Sequence, residues 1–300
     1  MSATPAAAST PAAPRMGFGK WLREHAVLII GVLVILYMLV PIAVIFVFSF
    51  NNPAGRYNFT WVGFTFKHWD NVFGIPELNE ALWTSIKLAV LATVISTVIG
   101  TMMALALVRH QFFGRRAANF LIVIPMATPE IVMGSSLLSF FLILGTGLGF
   151  KTLLIAHVMF CISFVVVVVR SRLIGFDRRL EEAAKDLGAT PWETFRLVTL
   201  PLILPGVFGG AMLAFALSID DFVISNFNSG TTVTFPLYIF GAFQRGVPVE
   251  VNCIAMILFG VTVAAMIFTT VQQRRAEKMA SVRPDQEEEI MPRVPATAAT

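Results

Sequence analysis

Six long apolar runs, at approximately residues 26–50, 82–108, 119–144, 152–169, 202–224 and 253–270, restrict the fold of this chain more than any other feature. A helix rises 1.5 Å per residue, so about 20 apolar residues cross a hydrocarbon core of about 30 Å. Lipid offers no hydrogen bond to a peptide group, so each run must satisfy its own backbone, and helices do this within one segment. The expected fold is therefore all-α and polytopic, with six transmembrane helices. Composition agrees, since 56% of residues are hydrophobic, 13% are charged and the mean hydropathy is +0.77, values far from those of soluble domains.

The basic residues divide unevenly between alternate connections. One set holds Lys20 and Arg23, Arg109, Arg115 and Arg116, Arg170 to Arg196, and Arg274 to Arg293; the other holds Arg56, Lys67, Lys151 and Arg245. Basic segments stay on the cytoplasmic side, so both termini and the segment after the fourth run are expected there. The net charge of +4 and pI of about 9.3 then report membrane topology, and they are poor grounds for nucleic-acid binding. The expected division is a disordered cytoplasmic tail at 1–25, a membrane domain at 26–273 and a cytoplasmic tail at 274–300, with 283–300 too polar to pack. The first run is longer than a secretory signal and lacks a small-residue cleavage site, so it reads as an uncleaved anchor.

Between the fourth and fifth runs lies DRRLEEAAKDLGATPWETFRLVTLPLILP, from Asp177 to Pro205. Asp177 can cap a helix in which Leu180, Ala183, Ala184 and Leu187 form one apolar stripe, with Arg178, Arg179, Glu181, Glu182, Lys185 and Asp186 opposite. Gly188 is suited to the left-handed residue that closes the helix. Thr190, Pro191 and Glu193 stand at N-cap, N1 and N3 of a second helix, a capping box. Trp192 and Phe195 share its face, and Pro201 and Pro205 oppose unbroken continuation into the fifth run. The prediction is a polar hairpin of two short helices bent at Gly188, with small residues where a partner can approach closely.

Glu182, Ala183, Ala184, Gly188, Val198, Leu200 and Pro201 fall at the spacing of the EAA loop, and the chain resembles the permease subunits of bacterial ABC importers. Val198 replaces the usual isoleucine, a mild departure. The resemblance implies a MetI-like fold and makes the hairpin, including Glu181, Glu182, Ala183, Ala184, Asp186, Leu187, Gly188 and Pro201, the cytoplasmic element that docks on an ATPase subunit.

No catalytic constellation or metal-ligand cluster emerges from the residues. The run from Gly145 to Thr152 suggests a phosphate loop, but Phe150 occupies the position of the required glycine before Lys151, and a turn between spans explains it better. ATP and Mg are therefore expected on a partner chain, with no cofactor on this one. His157, within the fourth run, reads as a hydrogen-bonding link between helices. Cys161 and Cys253 define no disulfide framework.

Acidic residues inside the apolar runs are costly, about 2.5 to 3.5 kcal/mol each at the bilayer centre, and so point to a wet or interior path. Glu130 follows Pro125 and Pro129; a straight third helix would put it about 17 Å deep. Asp220 and Asp221 would lie about 27 Å along the fifth. Broken helices are tolerated where freed carbonyls line a cavity, so Glu130, Asp220, Asp221 and Phe222 are the candidate pathway residues for a cationic solute, with Phe222 and Phe227 able to add cation–π attraction. The competing reading is structural: a hydrogen-bonded Glu130, and an aspartate pair that caps a helix end.

The segments SRLIGFDRRLEEAAKDLGAT, TPEIVMGSSLL and LSIDDFVISNFNSG are similar to the second permease subunit of spermidine/putrescine importers, over about Ala26 to Gln273. That resemblance implies a second permease chain, two ATPase subunits and a periplasmic binding protein in a bacterial inner membrane. It also makes the segment from Asn226 to Asn252 a surface near solute delivery. Ferric ion, opines and amino-acid derivatives are alternative solutes. An ion-coupled secondary transporter would show inverted repeats, which the two halves lack, and a non-transporting scaffold would have no use for buried acids.

Overall fold

The computed structural model describes residues 18–290 apart from Arg56 and Phe176. The tail before residue 18 and the last ten residues lie outside the described residues. Among the described residues, regular structure is helical except for one isolated bridge between Asn51 and Phe64. Five helical segments are long and apolar enough to cross a membrane: His25–Phe48, Pro76–Arg109, Phe150–Ile174, Pro191–Asp220 and Val249–Ile267. The sixth candidate crossing is a bent pair.

Two units are distinguished. The first comprises residues up to Asn52, Trp61–Trp69 and residues from Asn252 onward. Its long helix α1 (Phe18–Phe48) has no buried residue in its most apolar window, as suits a lipid-facing anchor. The chain leaving α1 is held by Asn51, whose Oδ1 accepts the Val62 N–H at 2.8 Å and the Gly63 N–H at 3.4 Å. Phe50 stacks on Phe64 at 5.3 Å and on Trp69 at 5.6 Å, and meets Phe66 edge-on at 5.4 Å. Such aromatic pairs add about 0.5–1.5 kcal/mol each beyond area burial. α2 (Lys67–Asp70) is a single turn. The final helix, α12, runs from Val249 to Ile290, so regular structure continues past Arg283, where a tail without it was expected. Likewise α1 begins at Phe18, inside the expected N-terminal tail.

In the second unit, Pro53–Thr60 and Asp70–Val251, three long helices pack together: α3 (Pro76–Arg109), α6 (Phe150–Ile174) and α9 (Leu200–Asp220). Lipid tails are as apolar as leucine, so burial of apolar surface contributes little to association, and close backbone approach must. The α3 face turned to its neighbours carries Ala89, Ala92, Ser96, Gly100 and Ala104, all buried. A Cβ on Gly100 would stand 2.8 Å from Val165 Cγ1, and one on Gly206 of α9 would stand 2.8 Å from Arg172 Cβ. Hydrophobicity alone gave no sign of this stripe. His157 does link helices as expected, bonding Ser218 at the end of α9 through Nδ1 (2.8 Å).

The third run is not one straight span. α4 (Arg115–Ala127) and α5 (Glu130–Ile143) meet at 111° across Thr128 and Pro129. Pro129 has no N–H to continue the helix and drives the preceding residue to extended backbone, observed at Thr128 as φ −81, ψ 131. The straight-helix depth of Glu130 therefore does not hold. The fifth run also ends earlier than expected, at Asp220, because Asp221 is extended (φ −62, ψ 118) and starts α10 (Val223–Asn228). Beyond it, the segment expected near solute delivery, Asn226 to Asn252, contains a further helix, α11 (Phe235–Arg245).

Candidate functional site

The hairpin after α6 is built locally from its capping residues. Asp177 Oδ1 accepts the Arg179 N–H at 3.0 Å, starting α7 (Arg179–Asp186). Gly188 has φ +87; its N–H bonds the Lys185 carbonyl, and the Ala189 N–H reaches back to Ala184 at 3.0 Å. This is a Schellman closure, and it requires the left-handed residue that glycine supplies. The Thr190 N–H then donates to Glu193 Oε2 at 2.8 Å, and the Glu193 N–H returns to Thr190 Oγ1 at 3.3 Å, the reciprocal box that opens α8 (Pro191–Thr194).

Two details differ from expectation. The helix does not stop before Pro201: a π-helical turn, Phe195–Thr199, leads straight into α9, with the Leu200 N–H bonded to the Phe195 carbonyl. One extra residue in that turn shifts the carbonyl register ahead of Pro201, whose own N–H is missing in any case. Glu181, expected on the solvent face, is turned inward. Its Oε1 receives Arg109 Nη2 at 2.8 Å and Thr199 Oγ1 at 2.7 Å, and its side chain is 12% exposed. The outward surface includes an apolar set: Leu180, Leu187, Trp192 and Leu197 are all exposed, with Ala183 and Gly188 between them. Glu182 and Asp186 are exposed on the same short helix.

The acidic residues meet at a junction of helix ends. Glu130 is the first residue of α5, Asp220 the last of α9, and Asp221 leads into α10. α5 packs on α10 through Gly134, where a Cβ would stand 2.8 Å from Phe227 Cδ2, and Asn228 Nδ2 donates to the Gly134 carbonyl at 3.2 Å. Glu130 lies one turn before Gly134 on the same face of α5, and the three carboxylates share this junction of helix ends. Their situations differ. Asp221 is 7% exposed, accepts the Ile224 and Ser225 N–H groups at 3.2 and 2.8 Å, and lies 3.5 Å from His157 Nε2. Glu130 and Asp220 are exposed. The N-terminal dipole of α5 favours Glu130, whereas Asp220 stands at the negative end of α9, where a carboxylate is disfavoured unless a cation joins it. Phe222 pairs with Phe240 of α11 at 4.7 Å, while Phe227 is taken up in packing against Gly134.

Sequence reasoning also missed a cavity of about 810 Å³ at the Pro76 end of α3, lined among others by Glu77, Glu80, Thr84, Tyr238 and Arg245. Burial first, and then the Glu77 carboxylate, push the Tyr238 phenol above its ordinary range. Only the fold brings residue 77 to residue 238, so no local pattern announces it. Of the run from Gly145 to Thr152, only the part up to Gly149 is a turn; Phe150 to Thr152 open α6, and the Gly149 N–H donates to Thr152 Oγ1 at 2.8 Å.

A three-helix core, a capped hairpin at one end and a junction of broken helices within the apolar region define a transport permease. The chain belongs to the family described as binding-protein-dependent transport system inner membrane component, which matches residues 96–278. These are the permease subunits of ABC importers, and this chain is a multi-pass membrane protein of that family. It is 40% identical to the spermidine/putrescine transport system permease protein PotC of Haemophilus influenzae, over 80% of this chain and 93% of that one. It is 34% identical to the putrescine transport system permease protein PotI of Escherichia coli K12, over 81% and 88%. Among solved structures, a bacterial ABC transporter involved in alginate import superposes with a TM-score of 0.64 at 19% identity, covering 87% of this chain and 99% of that chain. The inward-facing MetNI methionine transporter gives 0.53 at 20% identity, covering 66% and 95%. The shared architecture is the MetI-like fold.

Proposed function

We propose that this chain is the membrane permease of an ATP-driven polyamine importer, carrying spermidine or putrescine. The observation that carries the reading is the 40% identity to a spermidine/putrescine permease along nearly all of that relative's length. The acidic junction supports it chemically. Each ammonium of a polyamine needs a counter-charge, which Glu130 and Asp220 offer from exposed positions, while methylene stems pack on rings such as Phe222 and Phe240. Asp221 contributes charge to the same junction as it caps α10.

In this reading the chain is non-catalytic, and it works with a second permease, two ATPase subunits that bind ATP and Mg, and a periplasmic binding protein. Both termini and the hairpin face the cytoplasm, in keeping with the basic residues around Arg109, Arg170 and Arg196. The exposed Leu187, Trp192 and Ala183 face of the hairpin docks on an ATPase subunit, with Glu182 and Asp186 beside it. Closure of the ATPase dimer moves the hairpin and switches the spans, and the solute leaves on the inner side.

The test is uptake of labelled spermidine and putrescine into proteoliposomes holding the complete complex. The expected result is ATP-dependent uptake abolished by Glu182→Lys. Binding-protein-stimulated ATP hydrolysis without polyamine flux would overturn the substrate, and proton-driven uptake by this chain alone would overturn the importer mechanism.

A further inference from the structure

The hairpin is joined by the chain itself to α6 and to α9, and Glu181 adds a link to α3. Its single oxygen Oε1 is shared by Arg109, the last residue of α3, and by Thr199, the last residue of the π turn from which α9 departs. The pair is 72 residues apart in sequence, and both side chains are shielded, at 13% and 12% exposure. Exposed ion pairs hold their partners weakly because water and salt compete; this one is largely removed from that competition and is reinforced by a buried hydroxyl, Thr199 being 4% exposed. The other acids of α7, Glu182 and Asp186, face outward. One acid of the helix is thus committed to the bundle while its neighbours are left to a partner.

We propose that Glu181 is the positioning residue that makes the hairpin and the core move as one body, clamping α7 to the ends of α3 and α9. The proposal rests on reading the hairpin as the ATPase-docking element. With the clamp intact, a displacement imposed on α7 is transmitted to α3 as well as to the helices it is bonded to in sequence. Without it, α7 swings on its covalent tethers, and ATP is hydrolysed with little movement of α3.

The experiment uses the full complex with spin labels on Lys185→Cys and Met102→Cys; both native cysteines are buried, which leaves the introduced pair as the reactive one. The distance between them is expected to stay constant between the nucleotide-free and ATP-trapped states in the otherwise native chain, and to change in Glu181→Gln. In the same complexes without labels, Glu181→Gln is expected to retain the ATPase subunits on purification and to lower solute taken up per ATP hydrolysed by about five-fold or more, the scale of a typical coupling between sites. Thr199→Val moves both readouts the same way by less, and exchanging charges with Arg109→Glu and Glu181→Arg recovers part of the ratio. A label distance that changes equally with and without Glu181, or uptake and hydrolysis that fall in parallel, overturns the clamp. The distance measurement needs no solute, so a complex that fails to carry polyamine refutes the substrate and leaves the clamp decidable.

Discussion

Asp220 and Asp221 are adjacent in sequence and opposite in circumstance. Asp221 is buried, caps α10 with two backbone bonds and sits beside His157; Asp220 is exposed at the unfavourable end of α9. Replacing Asp221 with alanine should therefore destabilise the purified protein by about 1–2 kcal/mol, the range of a lost N-cap, seen as a lowered midpoint of thermal unfolding in detergent. Asp220→Asn and Glu130→Gln should leave stability, by the same measurement, within about 0.5 kcal/mol of the parent, as for exposed substitutions, while lowering polyamine uptake. Normal uptake by both variants would remove support for an acidic path. The sequence identified all three carboxylates because an acid in an apolar run stands out, but it could not separate a cap from an exposed charge. That distinction depends on the Ile224 and Ser225 N–H groups, which become available only once the helix breaks at Asp221.

At the level of elements, the hairpin was almost fully legible, since caps, closing glycine and capping box are set by residues a few positions apart. Gly188→Val should cost about 1 kcal/mol or more, because φ +87 is disfavoured for a residue with a Cβ and worse for a β-branched one; weaker retention of the ATPase subunits on purification would register it. Leu187→Asp should leave the fold intact, Leu187 being 90% exposed, yet abolish that retention if this face docks. Packing between elements was much less legible. Glu181 looks like any other acid of α7 until Arg109 is brought to it, and Gly100 looks like a dispensable residue of an apolar run until Val165 is seen against it. Gly100→Ala puts a Cβ within 2.8 Å of Val165 Cγ1, so α3 and α6 must shift, and it should cost about 1–3 kcal/mol, as overpacking does, measured by thermal unfolding. The prolines before Glu130 pointed to a broken helix, but the 111° turn between α4 and α5 follows from how both halves pack, and sequence spacing carries no angle.

Across the whole second unit, α3 orders the candidate sites along one axis. Ser85 Oγ accepts the Phe235 N–H of α11 at 2.8 Å near one end, and Arg109 holds the hairpin at the other. At 1.5 Å per residue these anchor points are about 36 Å apart, more than the thickness of a hydrocarbon core. A membrane-impermeant maleimide should consequently reach Phe243→Cys from one side of sealed vesicles and Lys185→Cys from the other, with the hairpin label on the cytoplasmic side. Labelling of both from one side would refute the proposed topology. A final consequence concerns the π turn at Phe195–Thr199. An α-helix advances 100° per residue, so one surplus residue acts as a phase setting between hairpin and bundle. Deleting a single residue there should restore ordinary helix and keep the downstream phase relative to α8, because the wider turn already absorbs the surplus residue. Were the same residues wound as ordinary helix instead, Ile203, Gly210 and Ala214 would turn away from α6 by about 100°, and either the bundle or the hairpin would have to give up its contacts.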